Sequence, residues 1–309
     1  MINLKGRDFL TLADFSREEI WYLLELARDL KMKQKAGIPH EILKGKTLAM
    51  IFQKASTRTR VSFEAAMFHL GGIAMFLSKN ELQMGRGEPI EDTARVLARY
   101  VDGILIRTYS HQEVLDLAKY ADVPVINGLT DDFHPTQALA DLLTIWEHKG
   151  TIAGLKLAYI GDGNNVAHSL LLAGAIMGME VTMACPEGYE PNAAVVAKAK
   201  ALAENEQQIR IVREPTEAVK GAQVLYTDVW ASMGQEKEAE ERRRIFATYQ
   251  INQELLSLAE PEAIVLHCLP AHRGEEITTE VIEGPQSVVF DEAENRMHAH
   301  KAILAALLG

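Results

Sequence analysis

The amino-acid sequence predicts an α/β protein of two doubly wound parallel-sheet domains joined by interdomain helices, and three observations predict it. Short apolar runs alternate with helical stretches, the pattern of a parallel sheet whose neighbouring strands require crossover connections. The alternation falls into two successive series, one ending before residue 130 and one starting after residue 155. A chain of 309 residues has the length of two ordinary domains.

The elements follow in order. Ser16 and Glu19 have capping-box spacing, and Ile20, Leu23, Leu24 and Ala27 then recur on one face, which starts a first amphipathic helix. Beyond Gly45 the runs at 47–53, 73–78, 103–108 and 123–128 read as strands, and VSFEAAMFHL is a helical segment closed by Gly71 and Gly72. Pro135 suits the first turn of a helix, and 136–148 reads as that helix, ending at Lys149 and Gly150. The domain boundary is placed here, giving domains 1–134 and 135–290. Runs at 156–162, 180–186, 210–213, 224–229 and 263–270 form the second series. The densely charged QEKEAEERRR (235–244) reads as a solvated helix beside a mobile loop.

Composition limits what such a fold does. Thirty-two basic against forty-three acidic residues give a net charge of −11, which argues against a nucleic-acid coat or an anionic-membrane binder, so an anionic ligand needs a local basic pocket. Cys185 and Cys268 are too few for a disulfide framework and read as reduced thiols, which points to the cytoplasm. The N-terminal MINLKGRDFLTLADFS has no apolar core of a signal peptide, and no run approaches the roughly eighteen apolar residues of a membrane span.

In open α/β sheets ligands bind beyond the carboxyl ends of the strands, so the residues following each run carry the chemistry. The first run leads into Ser56, Thr57, Arg58, Thr59 and Arg60 at a helix N-terminus, where backbone N–H groups, hydroxyls and guanidinium groups suit phosphate oxygens. An N-cap with surface arginines is the plainer alternative. Arg107, His134 and Gln137 follow two further strands, where a cation and an imidazole beside a phosphate can polarise a carbonyl. Taken singly, His134 before Pro135 is an ordinary turn residue.

Gly45-Lys46-Thr47 resembles the end of a P-loop, but His40 stands where the first glycine belongs and a strand follows where a helix is required. In the second series, Gly161-Asp162-Gly163 with Glu187 after the next strand loosely imitates a dinucleotide fingerprint that lacks its third glycine. A nicotinamide-dependent oxidoreductase is therefore a rival reading, and it leaves Ser56–Arg60 without a task. Cys268 fits either a nucleophile or a packed, inert thiol. His267, Cys268 and His272 lack zinc-site spacing, and His298 and His300 face different sides of a helix, so neither metal nor cofactor is expected.

Read together, Ser56-Thr57-Arg58-Thr59-Arg60, His134-Pro135-Thr136-Gln137, Asp228 with Ser232-Met233-Gly234, and His267-Cys268-Leu269-Pro270 closely resemble the motifs of the ornithine carbamoyltransferases, in order and over nearly the whole chain. The resemblance implies a first domain that binds carbamoyl phosphate, a second that binds L-ornithine, a C-terminal helix (291–309) packing back on the first, and a site at the cleft. Ser56, Thr57, Arg58 and Thr59 would hold the phosphate, while Thr59, Arg107 and His134 would face the carbonyl oxygen. Gln137, Cys268, Leu269 and Arg296 would surround the carbamoyl group.

Gln83, in the SKNELQMGRGEP loop, looks like the residue that family members insert into a neighbouring subunit's site, which implies a homotrimer or a multiple of trimers. Asn165, Asp228, Ser232 and Met233 would select ornithine: an anionic Asp228 suits the α-ammonium and the Asn165 amide the carboxylate. Arg107, His134 and Cys268 are the implied catalytic group, with Cys268 a positioning or electrostatic residue because the amine attacks directly. Carbamoyl transfer to putrescine or an acylated ornithine, and a non-catalytic descendant, are the remaining alternatives beside the oxidoreductase.

Overall fold

The structure, a computed structural model, describes residues 2–232 and 238–309. The chain divides into two compact units, Met1–Leu143 with Glu294–Gly309, and Thr144–Ala293.

The first unit holds β1 (Thr47–Phe52), β2 (Ile73–Ser78), β3 (Gly103–Arg107) and β4 (Val125–Leu129), all parallel, in the order β2-β1-β3-β4. The crossovers are α2 (Thr57–His69), α3 (Ile90–Leu97) and α4 (His111–Tyr120), and α1 (Arg17–Lys35) precedes them. Ile20, Leu23, Leu24 and Ala27 form the buried face of α1, and the capping box forms in both directions between Ser16 and Glu19. β3 is buried throughout and β1 beyond Thr47, as strands covered on both faces should be, whereas the edge strand β2 leaves Ile73 exposed. The other edge is covered by the N-terminal segment: Phe9 N donates to Val125 O (2.8 Å) and Asn127 N to Phe9 O (2.9 Å).

The second unit holds β5 (Lys156–Ile160), β6 (Glu180–Ala184), β7 (Ile209–Val212), β8 (Val224–Thr227) and β9 (Ile264–His267), parallel, in the order β7-β6-β5-β8-β9. It carries α6 (Asn165–Met177), α7 (Ala193–Leu202), α8 (Pro215–Val219), α9 (Ala239–Ile245), α10 (Gln253–Leu256) and α11 (Thr279–Ile282). Two helices pass from one unit to the other, α5 (Pro135–Lys149) and α12 (Val289–Leu308).

Each of the nine strands among the described residues overlaps a run read from the sequence, most closely where the strand is covered on both faces and so needs an apolar stretch. In each unit the strand order reverses once, between β1 and β3 in the first and between β5 and β8 in the second. The loops that leave those strands flank a crevice at the carboxyl edge, where open sheets bind their ligands.

Candidate active site

In the first unit, β1 runs into the N-terminus of α2. Ser56 is extended (φ −161°, ψ 114°) and its Oγ accepts the Thr59 amide at 3.2 Å, capping the helix. The remaining amides of the first turn have no partner within the helix. Helices α1 and α3 place two acids each in their first turns to offset this positive end, but α2 has none and carries Arg58 and Arg60 there instead. That arrangement is unfavourable for an isolated helix and favourable with an anion bound. Arg60 is committed elsewhere, with Nε 3.0 Å from Glu64 and its guanidinium over the Phe76 ring. Thr59 is fully buried, and its Oγ1 accepts from Ser56 Oγ (3.1 Å) and from Arg296 Nη2 (2.8 Å).

Arg107 ends β3, directly across from Phe52 of β1, where the register with β4 slips. His134 precedes Pro135, whose fixed φ suits the first turn of α5, and the His134 carbonyl accepts the Ala138 amide at 3.2 Å. Burial, together with the charges of Arg296, Arg107, His300 and Arg58, holds the His134 imidazole well below its ordinary pKa. It is therefore a neutral ring among cations, able to donate a hydrogen bond without giving up a charge. Gln137 is fully buried, and its Nε2 donates to Asp141 Oδ1 at 2.8 Å. Thr57 and Arg58 lie on the same first turn. Gln83 is exposed at the start of a 3-10 turn, Gln83–Arg86, outside this hydrogen-bonded cluster.

Two further residues of this region are given no functional role by the sequence. Lys54, the second residue past β1, is buried, ion-paired with Asp131, and lies 4.3 Å from the Tyr109 ring centroid. His300 is fully buried and stacked on Phe63 at 3.7 Å. Lys46, of the discarded P-loop resemblance, reaches Asp102 at 2.8 Å.

The second unit gathers its polar groups around Asp228, just past β8. Asp228 Oδ1 accepts from the Val229 amide (2.8 Å) and the Cys268 thiol (3.1 Å), and Oδ2 accepts from Asn164 Nδ2 (2.8 Å). Asn164 also caps α6, its Oδ1 accepting the amides of Val166 (2.9 Å) and Ala167 (3.1 Å). Asn165, expected at the ornithine site, is the first residue of α6, and Asn164 adds a second amide beside it; the sequence signal for Asn164 is its place immediately before the helix, where Asn is a favoured cap. Ser232 is half-buried, and Met233 lies outside the described residues.

Leu269, next to Cys268, has φ +58°, a backbone conformation seldom adopted without glycine. Cys185 is buried, and its thiol is pushed up to about 12, chiefly by burial, which makes it inert. The segment read as a solvated helix needs correction at one position. Arg242 of α9 is buried and its Nη1 meets Asp162 Oδ2 at 3.0 Å and the Trp230 carbonyl at 2.8 Å.

Asp228, His267 and Cys268 bring donor atoms within 4.8 Å of one another, as a metal site would. Both ring nitrogens of His267 are engaged, however, one by the Leu269 amide and one by Glu276. The dinucleotide reading fails on the second glycine of its motif. A Cβ on Gly163 would sit 2.1 Å from Pro191 N, so this glycine makes room for the chain's own backbone and not for a pyrophosphate.

Two family models match the chain one after the other. Residues 7–147 match the family model described as "Aspartate/ornithine carbamoyltransferase, carbamoyl-P binding domain", and residues 153–307 match "Aspartate/ornithine carbamoyltransferase, Asp/Orn binding domain". The ornithine carbamoyltransferase of Pyrococcus abyssi is 61% identical over 310 residues, covering 100% of this chain and 98% of that protein. That of Symbiobacterium thermophilum is 60% identical, covering 100% of both. Among solved structures, ornithine carbamoyltransferase from Pyrococcus furiosus superposes with a TM-score of 0.97 at 59% identity, covering 100% of this chain and 99% of that one. With an arginine-ringed crevice in one unit, a carboxylate-centred one in the other, and these matches along its whole length, the chain belongs to the aspartate/ornithine carbamoyltransferase family.

Proposed function

We propose that this protein transfers the carbamoyl group of carbamoyl phosphate to the δ-amine of L-ornithine, giving L-citrulline and phosphate. It is a carbamoyltransferase of arginine metabolism. The observation that carries the reading is the neutral, buried His134 among Arg58, Arg107 and Arg296, beside a helix N-terminus that carries no acid.

The carbamoyl phosphate is assigned to the domain of residues 1–134, with the C-terminal helix 291–309 packing back on it. Ser56, Thr57, Arg58 and Thr59 hold the phosphate with amides, hydroxyls and one guanidinium group. Thr59, Arg107 and His134 are assigned to the carbonyl oxygen, and Gln137, Arg296, Cys268 and Leu269 to the surroundings of the carbamoyl group. The ornithine is assigned to the domain of residues 135–290. Three donors occupy three of the about four lone-pair positions of the Asp228 carboxylate, and the α-ammonium is the donor assigned to the last. Asn165, Ser232 and Met233 complete the amino-acid site.

Attack by the neutral δ-amine on the carbonyl carbon gives a tetrahedral oxyanion. Arg107, Thr59 and His134 are placed to stabilise it, and its collapse expels phosphate toward Arg58. The Cys268 thiol, donating to Asp228, positions that carboxylate and forms no covalent intermediate. The working assembly is a homotrimer or a multiple of trimers, with exposed Gln83 completing a neighbour's site. The location is cytoplasmic, in keeping with two buried cysteines that form no disulfide. Among the described residues no helix is long and apolar enough to cross a membrane.

The test is citrulline formation from carbamoyl phosphate with L-ornithine, L-aspartate, putrescine and N-acetyl-L-ornithine in parallel. Turnover with ornithine alone is expected, rising from pH 6 to 9 as the amine, whose pKa resembles that of lysine near 10.4, loses its proton. Turnover with another amine instead would overturn the role given to Asp228.

A further inference from the structure

A buried pair in the second unit has no part in the steps above. His267 ends β9, Glu276 lies in the loop that follows, and both are fully buried. His267 Nδ1 is 2.9 Å from the Leu269 amide, and Nε2 is 3.0 Å from Glu276 Oε1. An amide can only donate, so Nδ1 must offer a lone pair, and the proton of the ring sits on Nε2, directed at Glu276. Glu276 Oε1 also accepts the His272 amide at 2.6 Å, which ties the carboxylate to the far side of the same turn. The His267 backbone is fixed separately, its amide donating to Glu292 Oε2 (2.8 Å) while Tyr226 donates to Glu292 Oε1 (3.1 Å).

What this chain of bonds holds is the costly part of the turn. Leu269 adopts φ +58° with a side chain that penalises it, and such a conformation persists only where surrounding contacts over-determine it. The residue before it aims its thiol at Asp228. We infer that His267 and Glu276 are positioning residues for carbamoyl transfer: Glu276 orients the His267 ring, and the ring pins the Leu269 amide so that the Cys268-Leu269 segment is presented to the substrates. This rests on the carbamoyl-transfer reading, in which that segment touches the carbamoyl group.

The experiment compares the full-length parent with His267→Ala, His267→Asn, His267→Gln, Glu276→Ala and Glu276→Gln in the citrulline assay, with folding checked by circular dichroism. An asparagine oxygen can take the place of Nδ1, whereas glutamine reaches toward Glu276 and leaves the Leu269 amide without its acceptor. Both alanine variants should lose about 10- to 100-fold in kcat, the scale set by removal of an outer partner that orients a working group. Their KM for carbamoyl phosphate should change by less than about threefold, because its phosphate contacts are assigned to the other unit. His267→Asn should recover most of the loss, His267→Gln should not, and Glu276→Gln should exceed Glu276→Ala.

A folded His267→Ala or Glu276→Ala with parental kcat overturns the inference, as does a His267→Asn variant no faster than His267→Gln, a comparison that stands even if the alanine variants fail to fold. A parent that makes no citrulline removes the carbamoyl-transfer reading itself; an active parent with indifferent variants removes only the positioning role.

Discussion

The carboxyl edge of the first sheet and that of the second are built from the same doubly wound template and carry opposite electrostatics. At the first, Arg58, Arg107 and Arg296 bear on a neutral His134 beside an uncompensated helix N-terminus. At the second, the Asp228 carboxylate is fixed by Asn164, Cys268 and its neighbour's amide, and burial, with Asp228 and then Asp162 adding to it, raises the Tyr159 phenol well above its ordinary range. The fold decides where a ligand sits in each unit; the side chains decide its sign. In the proposed reading, a protein with net charge −11 confines its anion-binding chemistry to one crevice and matches an aminated substrate with the other.

The largest effect expected from disturbing this contrast falls on stability, at the buried ion pair of the second unit. Asp162→Ala leaves Arg242 buried without its nearest counter-charge, Glu238 remaining at the exposed side, and should cost about 3–5 kcal/mol in chemical denaturation at neutral pH. Asp162→Asn adds a pH test. Burial pushes the Asp162 carboxyl up to about 6 from an ordinary 3.8, against the pull of Arg242. With the folded-state value raised, the stabilisation from the bound proton is full below the unfolded value and is lost as pH rises through about 6. The stability advantage of the parent over Asp162→Asn should therefore shrink across that interval; a pH-independent gap would show that Asp162 is ionised throughout.

On activity, Arg107→Gln removes a fixed charge from the first crevice while leaving a polar side chain at the end of β3. A fall of about 10²- to 10³-fold in kcat is expected, the cost of losing one oxyanion donor. The pH profile should gain no inflection near 6.5, because the His134 ring is held neutral well below that range and loses only one of several cations around it. Asp228→Asn is the counterpart in the second crevice. A charge-assisted hydrogen bond to an ammonium is worth about 1.5–3 kcal/mol, so the KM for ornithine should rise about 10- to 100-fold while that for carbamoyl phosphate stays near parental. Equal rises in both constants would erase the division of labour between the two crevices.

The sequence made the frame and one crevice more legible than the other. The nine strands of the described residues were readable as apolar runs, most plainly β1, β3, β8 and β9, which are buried nearly throughout and keep their polar residues to their ends. Ser56–Thr59 stood out because hydroxyls and arginines were packed at a helix start without acids. Asn164 gained its place only from the structure, because capping of α6 and its bond to Asp228 depend on where the helix starts. Arg242 was hidden in a charge run where only one member turns inward. Lys54, His300 and the His267–Glu276 pair depend on burial by partners that local periodicity does not reveal.

The smallest expected effect separates cap from ligand. Ser56 and Asn164 occupy equivalent places, each capping the helix that follows the first strand of its sheet, and each reaching beyond the cap: Ser56 to Thr59 Oγ1, Asn164 to Asp228 and, at 3.4 Å, to the Tyr159 hydroxyl. Replacing either by alanine should remove about 1 kcal/mol of stability through the lost cap, in thermal or chemical unfolding. The kinetic consequences should diverge. Ser56→Ala should raise the KM for carbamoyl phosphate, since it loosens Thr59 against Arg296 and removes a hydroxyl from the phosphate cradle, and should leave that for ornithine unchanged. Asn164→Ala should do the reverse, because Asp228 loses one of the three donors that orient it. Alanine variants that lose stability alike and both raise the same KM would mean that the two crevices do not divide the substrates, and that the opposite polarity of the sheet edges serves one ligand.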